Sequence, residues 1–319
     1  MRKCLLFTIL MMFLITTISF SQFRIKGEPV KVTDDNAGYY FMSPKWSDDG
    51  SQIAVTGERY NGLWIIHMDG SGITKLTDDL SVGFGFEWSK DSEAIVSRFS
   101  KFDKWRRLNG VKIYDTKNGS SQLVSDLRAS MSGLPHWAQN DQKVYIYSDK
   151  KLEVFDTNRK TSKLNKNSSS NEILFLKDDH IGKADINKRE IEDLIPVKNA
   201  RYLNLTIAPD QSRVAFEIMG GNMYVMNTDG TNLIDLGIGY RPQWAPDNKH
   251  LVYMVTEDDG HQYISSDLQI INIDTKEITR LKFKNNKLEM NPAWSPDGNK
   301  IAFDVLNEGN VYVIELTRE

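Results

Sequence analysis

The sequence predicts an all-β fold: a β-propeller of four-stranded antiparallel blades, seven in number with six as the alternative, closed by its N-terminal strand. Three observations lead there. One signature, Asn291-Pro-Ala-Trp294-Ser-Pro-Asp-Gly298, recurs in worn copies around Trp46, Trp88, Trp137, Ile207 and Trp244, and self-similarity at a period of a few tens of residues marks a repeat architecture. Each copy is followed by the same order of short apolar runs and turn signals. What the last copy lacks is found at the start of the chain.

Within a copy, the residues leading to Trp read as a short strand. Ser/Ala-Pro-Asp-Gly is turn chemistry, because Pro pre-sets φ while Asp and Gly accept the turn. Runs rich in β-branched and aromatic residues, Gln52-Ile-Ala-Val55 and Arg213-Val-Ala-Phe216, make a second strand, and Leu63-Trp-Ile-Ile66 and Met223-Tyr-Val-Met226 a third. A hairpin signal, Asp69-Gly70 or Asp229-Gly230, leads to a more polar fourth strand such as Ile73-Thr-Lys-Leu76. Four such strands in about 40 residues make a propeller blade.

Successive signature positions are 42, 49, 70, 37 and 50 residues apart. The longest interval hides a further module at 166–196, because Glu172 to Asn187 aligns without a gap to Lys143 to Asn158, its first strand being worn down to 166–171. Read instead as an excursion, that module leaves six blades. The last copy supplies three strands, ending at Val311–Glu315, and Glu28-Pro-Val-Lys-Val-Thr33 resembles the missing fourth. Pairing these ends removes an open sheet edge.

At the N-terminus, Met1-Arg-Lys precedes an apolar run from Leu5 to Ile18, and Ser19-Phe20-Ser21 offers small residues at a cleavage point. This is the layout of a secretory signal peptide, and the run is shorter than the roughly 20 residues that span a bilayer. Residues 1–21 are therefore expected to be removed, leaving one propeller domain at 22–319 that is exported, to the periplasm, with no membrane span. Cys4 is the only cysteine, so the mature chain is expected to have no disulfide and no thiol chemistry. A net charge of −3 argues against general nucleic-acid binding, which needs clustered Lys and Arg.

The Pro-x-Trp-Ser-Pro-Asp-Gly-x-x-Ile-Ala-Phe pattern, with Met68-Asp-Gly-Ser71 and Asn227-Thr-Asp-Gly230-Thr at the third hairpin, resembles the WD-like repeat of TolB-type propellers over residues 29–316. The resemblance implies a periplasmic protein that binds other envelope proteins. TolB carries an α/β domain before its propeller, whereas here Gln22 to Gly27 alone separates the expected cleavage point from the first predicted strand. A stand-alone TolB-like propeller is the expectation.

Because recurrence marks the architectural joint, function is sought where the copies disagree. The signature tryptophans are read as packing between blades. The residues before them, Lys45, Glu87, His136, Gln243 and Ala293, alternate away from the Trp side and approach the central channel, with Tyr240, Arg241 and Asn291 at its mouth. Arg98 to Arg107, carrying Trp105, Arg106 and Arg107, forms an enlarged connection between the second and third strands of blade 2, and Thr256 to Tyr263, carrying His261, another. Aromatic and Arg side chains are what protein interfaces enrich. The chain is thus read as a monomeric scaffold for another envelope protein, without cofactor, metal or enzymatic activity. Five histidines, His67, His136, His180, His250 and His261, show no ligand spacing, and no Gly-x-Ser-x-Gly elbow is present. The alternative is a glycan-active propeller of the oligogalacturonate-lyase type, with His136 placed for it, or a propeller that binds carbohydrate at the channel mouth without chemistry.

Overall fold

Alternating apolar and polar residues over short runs give strands, and the computed structural model places them in seven sheets. It describes residues 23–33, 38–159, 171–283 and 287–318. Blade 1 comprises β2 (Phe41–Trp46), β3 (Gln52–Gly57), β4 (Leu63–His67) and β5 (Gly72–Thr77). Blade 2 comprises β6 (Glu87–Trp88), β7 (Ala94–Asp103), β8 (Arg106–Asp115) and β9 (Ser121–Leu123). Blade 3 shows three strands, β10 (His136–Ala138), β11 (Lys143–Ser148) and β12 (Lys151–Asp156), and blade 4 three, β13 (Glu172–Lys177), β14 (His180–Asp185) and β15 (Ile191–Leu194). Blade 5 is β16 (Tyr202–Ile207), β17 (Arg213–Ile218), β18 (Met223–Asn227) and β19 (Ile234–Gly237). Blade 6 is β20 (Tyr240–Trp244), β21 (His250–Asp258), β22 (Tyr263–Asn272) and β23 (Ile278–Leu281). Blade 7 is β24 (Glu289–Trp294), β25 (Lys300–Val305) and β26 (Asn310–Arg318), with β1 (Phe23–Lys31) as its outer strand.

Residues 172–194 form a sheet of their own, which decides for seven blades over six. Apart from Asn171, the worn first strand expected at 166–171 lies outside the described residues. The closing strand is longer than the sequence suggested. It pairs from Phe23↔Arg318 to Lys31↔Tyr312, with a register shift between Lys26 and Val30. Its first described residue, Phe23, is 2% exposed and, with Ile25, belongs to the apolar cluster between blades 6 and 7.

There is one such cluster at each of the seven seams rather than a single core. Strand alternation makes this possible, since successive side chains face opposite neighbours. Ile53 and Val55 pack toward blade 7, while Ala54 between them packs toward blade 2. The signature tryptophans lie in these seams as expected, and their indole N–H adds a directional bond. Four of the five donate to the preceding blade, at the carbonyl of the residue before that blade's own signature position. Trp46 reaches Ala293 (3.2 Å), Trp88 Lys45 (3.0 Å), Trp137 Glu87 (3.1 Å) and Trp244 Thr206 (3.1 Å). Trp294 Nε1 is buried without a partner among the described residues.

The turn after each Trp makes a second contact across the seam. Its fourth residue has positive φ in Gly50 (72°), Ser92 (61°), Asp141 (65°), Asn248 (58°) and Gly298 (74°). Where glycine is replaced, the new side chain caps the preceding turn: Ser92 Oγ accepts from Asp49 N, Asp141 Oδ2 from Asp91 N and Asn248 Oδ1 from Asp210 N. Where glycine stays, a Cβ would meet the proline ring of the preceding turn, Pro296 beside Gly50 at 3.3 Å and Pro246 beside Gly298 at 3.0 Å.

At the other end of the inner strands a polar clasp occurs twice. Asn204 and Asn291 sit at β-bulges with positive φ (49° each), and their Nδ2 groups donate to Glu217 Oε1 and Asp304 Oδ1, both at 2.8 Å. The same carboxylate oxygens accept a backbone N–H from the bulge of the next blade, Arg241 for Glu217 and Ser43, at 2.9 Å, for Asp304. Burial raises the pKa of Glu217, and raises that of Asp304 to about 7.

Two predictions follow from the seams. Trp88→Phe keeps a packed ring but loses the bond to the Lys45 carbonyl, so it costs about 0.5–1.5 kcal/mol in urea unfolding, and Trp294→Phe, which breaks no such bond, costs clearly less. A carboxyl group whose folded pKa exceeds its unfolded value binds its proton more tightly when folded. The contribution of Asp304 to stability is therefore complete below about pH 4 and is lost as pH rises through its folded value of about 7. Denaturation midpoints of Asp304→Asn are expected to vary less with pH over that window than those of the wild type.

Candidate functional site

Hairpins between second and third strands emerge on the same face of the ring as the links between blades, here called the upper face. On it stand two raised ribbons. β7 and β8 run ten residues each against six in β3 and five in β4, which lifts their tip roughly 13 Å at about 3.4 Å per residue. β21 and β22 run nine and ten residues. Both correspond to the enlarged connections read from the sequence.

At the blade 2 tip Trp105 is 96% exposed, and Phe102, 62% exposed, stands opposite Arg107 in the ladder. Arg106 is exposed, whereas the Arg107 guanidinium is braced by Ser81 Oγ (2.7 Å) and Ser100 Oγ (2.9 Å). These bonds and the Leu80↔Ser100 bridge tie the ribbon to the link from blade 1. There Phe84, itself half exposed, meets Tyr60 edge-on at 5.2 Å. Exposed rings thus stand at two levels of this blade, Tyr60 and Phe84 at the foot of the ribbon and Phe102 and Trp105 near its tip, with Arg106 and Arg107 beside the latter. Arg98 plays another part: its Nη1 donates to the carbonyls of Met131 (2.5 Å), Ser132 (3.2 Å) and Gly133 (3.1 Å), pinning the link into blade 3. On the blade 6 ribbon His261 and Tyr263 are exposed beside Glu257, Asp258 and Asp259.

The residues that precede the tryptophans reach toward neighbouring blades from the first strands. Lys45 Nζ lies 2.6 Å from the Phe86 carbonyl and 5.0 Å from the centre of the Phe86 ring, and burial lowers its pKa. Glu87 Oε2 and His136 Nδ1 are 3.0 Å apart across the seam between blades 2 and 3, with the His136 ring 5.4 Å from Tyr145. Gln243 is half-buried. The Arg241 backbone N–H is held by Glu217, and its side chain lies within electrostatic reach of Asp304 and Lys45. Tyr240 packs against the cluster between blades 6 and 7.

The structure thus brings Trp105, Arg106 and Arg107 together on blade 2 and His261 and Tyr263 together on blade 6, pairs His136 with Glu87 across a seam, and sets Arg241 and Gln243 on the first strand of blade 6. It separates Arg98 and Tyr240 from these groups as parts of the frame. Sequence reasoning missed Phe84, Phe102, Glu217 and Asp304. The first two carry an ordinary signal, an aromatic in a loop; the carboxylates stand at a position occupied by Thr56 in blade 1 and Met254 in blade 6, so no repeat pattern marks them. Among the described residues no three His, Cys, Asp or Glu side chains gather as metal ligands.

No family model matches the chain, and no curated protein does; the TolB-type resemblance is accordingly not confirmed. Solved structures match the whole ring. An oligogalacturonate lyase from Vibrio parahaemolyticus is 12% identical with a TM-score of 0.60, over 92% of this chain and 97% of that one. An oligogalacturonate lyase in complex with manganese is 13% identical with a TM-score of 0.62, over 93% and 96%. A chain of the mitotic checkpoint complex is 15% identical with a TM-score of 0.62, over 98% of both. At these identities the likeness is one of fold. It nevertheless corrects the expectation of a protein without enzymatic activity, because the ring this chain builds is one that works as a lyase elsewhere. The chain is a seven-bladed β-propeller of a build shared by lyases and by members of protein assemblies.

Proposed function

We propose that this chain is an exported propeller that docks another protein of the cell envelope on its upper face. The observation that carries the reading is Trp105, 96% exposed at the tip of a raised, basic ribbon. A large aromatic ring left in water is disfavoured by its apolar area, and aromatic and Arg side chains dominate the energetics of interfaces. Its ribbon is anchored at the base by Arg107 and Ser81, so little order has to be acquired on docking. Export rests on the leader-like residues 1–21, which lie outside the described residues. The likeness of the repeats to those of TolB-type propellers supports the same setting.

A second reading has its own support. The Glu87–His136 pair offers a proton acceptor and Lys45, within electrostatic reach of both Glu87 and Arg241, a cation, and two structural neighbours are oligogalacturonate lyases. On this reading the channel mouth acts on, or holds, an acidic oligosaccharide.

The two are separated by experiment. Purified chain is expected to retain an envelope protein from extract, and Trp105→Ala, melting at the wild-type temperature, to retain at least tenfold less on the basis of about 1.4 kcal/mol per tenfold; equal recovery overturns the docking reading. Incubation with an oligogalacturonate, followed by ultraviolet absorbance of the unsaturated elimination product, tests the second. A rate abolished by Glu87→Gln and by His136→Ala, with Trp105→Ala unaffected, supports it, and no product with the wild type removes the catalytic form of it.

A further inference from the structure

The two raised ribbons of the upper face carry opposite charge. On blade 2, Lys101, Lys104, Arg106 and Arg107 face a single carboxylate, Asp103. On blade 6, Glu257, Asp258 and Asp259 stand with no Lys or Arg from Thr256 to Ser266. Within the chain these charges find no opposite partner among the described residues. Asp258 accepts from Gly260 N, and Asp259 from His261 N and Gln262 N, all inside their own turn. Each ribbon also carries apolar side chains that stand in water: Phe102 (62%) and Trp105 (96%) on one, Tyr263 (40%) and Ile264 (56%) on the other.

Their places in the ring matter. Passing through blades 7 and 1, blade 6 is three steps from blade 2. A two-fold axis lying in the plane of the ring, over the seam between blades 7 and 1, exchanges the two positions. Two copies stacked upper face to upper face about that axis set each basic ribbon on the acidic ribbon of the other, twice over, as an isologous contact requires.

We propose that the partner of the upper face is a second copy of this chain, held face to face by the blade 2 ribbon of each copy on the blade 6 ribbon of the other. The proposal rests on the docking reading above and names its partner, in place of the monomer expected from the sequence. The arrangement brings the exposed apolar side chains of the two ribbons to one contact and sets against each other charges that have no opposite charge within the chain among the described residues. Opposite potentials steer such an encounter, and like charges brought together cost several kcal/mol.

Charge reversal tests this without depending on one variant folding. Sedimentation equilibrium of the mature chain is expected to show a dimer that weakens as salt shortens the Debye length to about 3 Å at 1 M. Lys104→Glu with Arg106→Glu is expected to raise the dissociation constant at least about 30-fold, and Asp258→Lys with Asp259→Lys to do the same. Mixed in equal amounts, the two reversed variants meet with opposite charges at both contacts, so the dimer returns. A wild type that stays monomeric, or reversed variants that dimerise alone as well as the wild type does, overturns the proposal. A monomeric wild type that still captures a different envelope protein through Trp105 overturns the proposal and leaves the docking reading standing.

Discussion

The ring depends on the way a tryptophan is held between two sheets. Face-to-face sheets separated by side chains can slide, since dispersion and area burial fix a distance more firmly than a register. An indole N–H aimed at one carbonyl of the neighbouring inner strand removes that freedom. At Trp46, Trp88, Trp137 and Trp244 the carbonyl belongs to the residue just before the neighbour's own signature position, so at four of the seven seams one blade fixes the next by the same rule. The side chain at that carbonyl's residue turns toward the following blade, Ala293 into the cluster with blade 1, Lys45 onto Phe86 and Glu87 onto His136. The bond that sets the architecture thus also orients Lys45 and Glu87 across the next seam.

Much of this was legible. Blade number, the hidden fourth module and the closing N-terminal strand come from side chains that repeat because every seam needs the same volume and every turn the same φ. Legibility ends where one position takes different residues in different blades. Glu217 and Asp304 occupy the place held by Thr56 and Met254, and only with the strands in register does their shared clasp of an Asn side chain and the next blade's N–H become visible. Arg98 was read as part of a binding loop because it stands beside Trp105 in sequence, yet its guanidinium is spent on three carbonyls of the link into blade 3. Sequence proximity does not separate a side chain at a ribbon's base from one at its tip.

The candidate site shows the same division. A ribbon of ten-residue strands was foreseeable from an enlarged connection, as was its basic character. That a second ribbon of opposite charge rises three blades away is a property of the ring, in which distance along the chain, here roughly 150 residues, says little about separation in space. One fold hosts many functions, and in a propeller the reason is physical. The seams use nearly all of the buried surface, and the upper face can vary without touching them.

The pairing of β1 with β26 carries a further consequence. Phe23 and Arg318 are neighbours in one sheet although they lie at opposite ends of the described chain. Contacts of such sequence separation form late, because the loop entropy must be met before they reward it. Until the last strand is available, blade 7 lacks its outer strand and the seam between blades 6 and 7 lacks the Phe23 ring. Completion is therefore all-or-none with respect to chain length: a ring shortened by its final strand is open, and the edge it exposes is one that pairs with other chains.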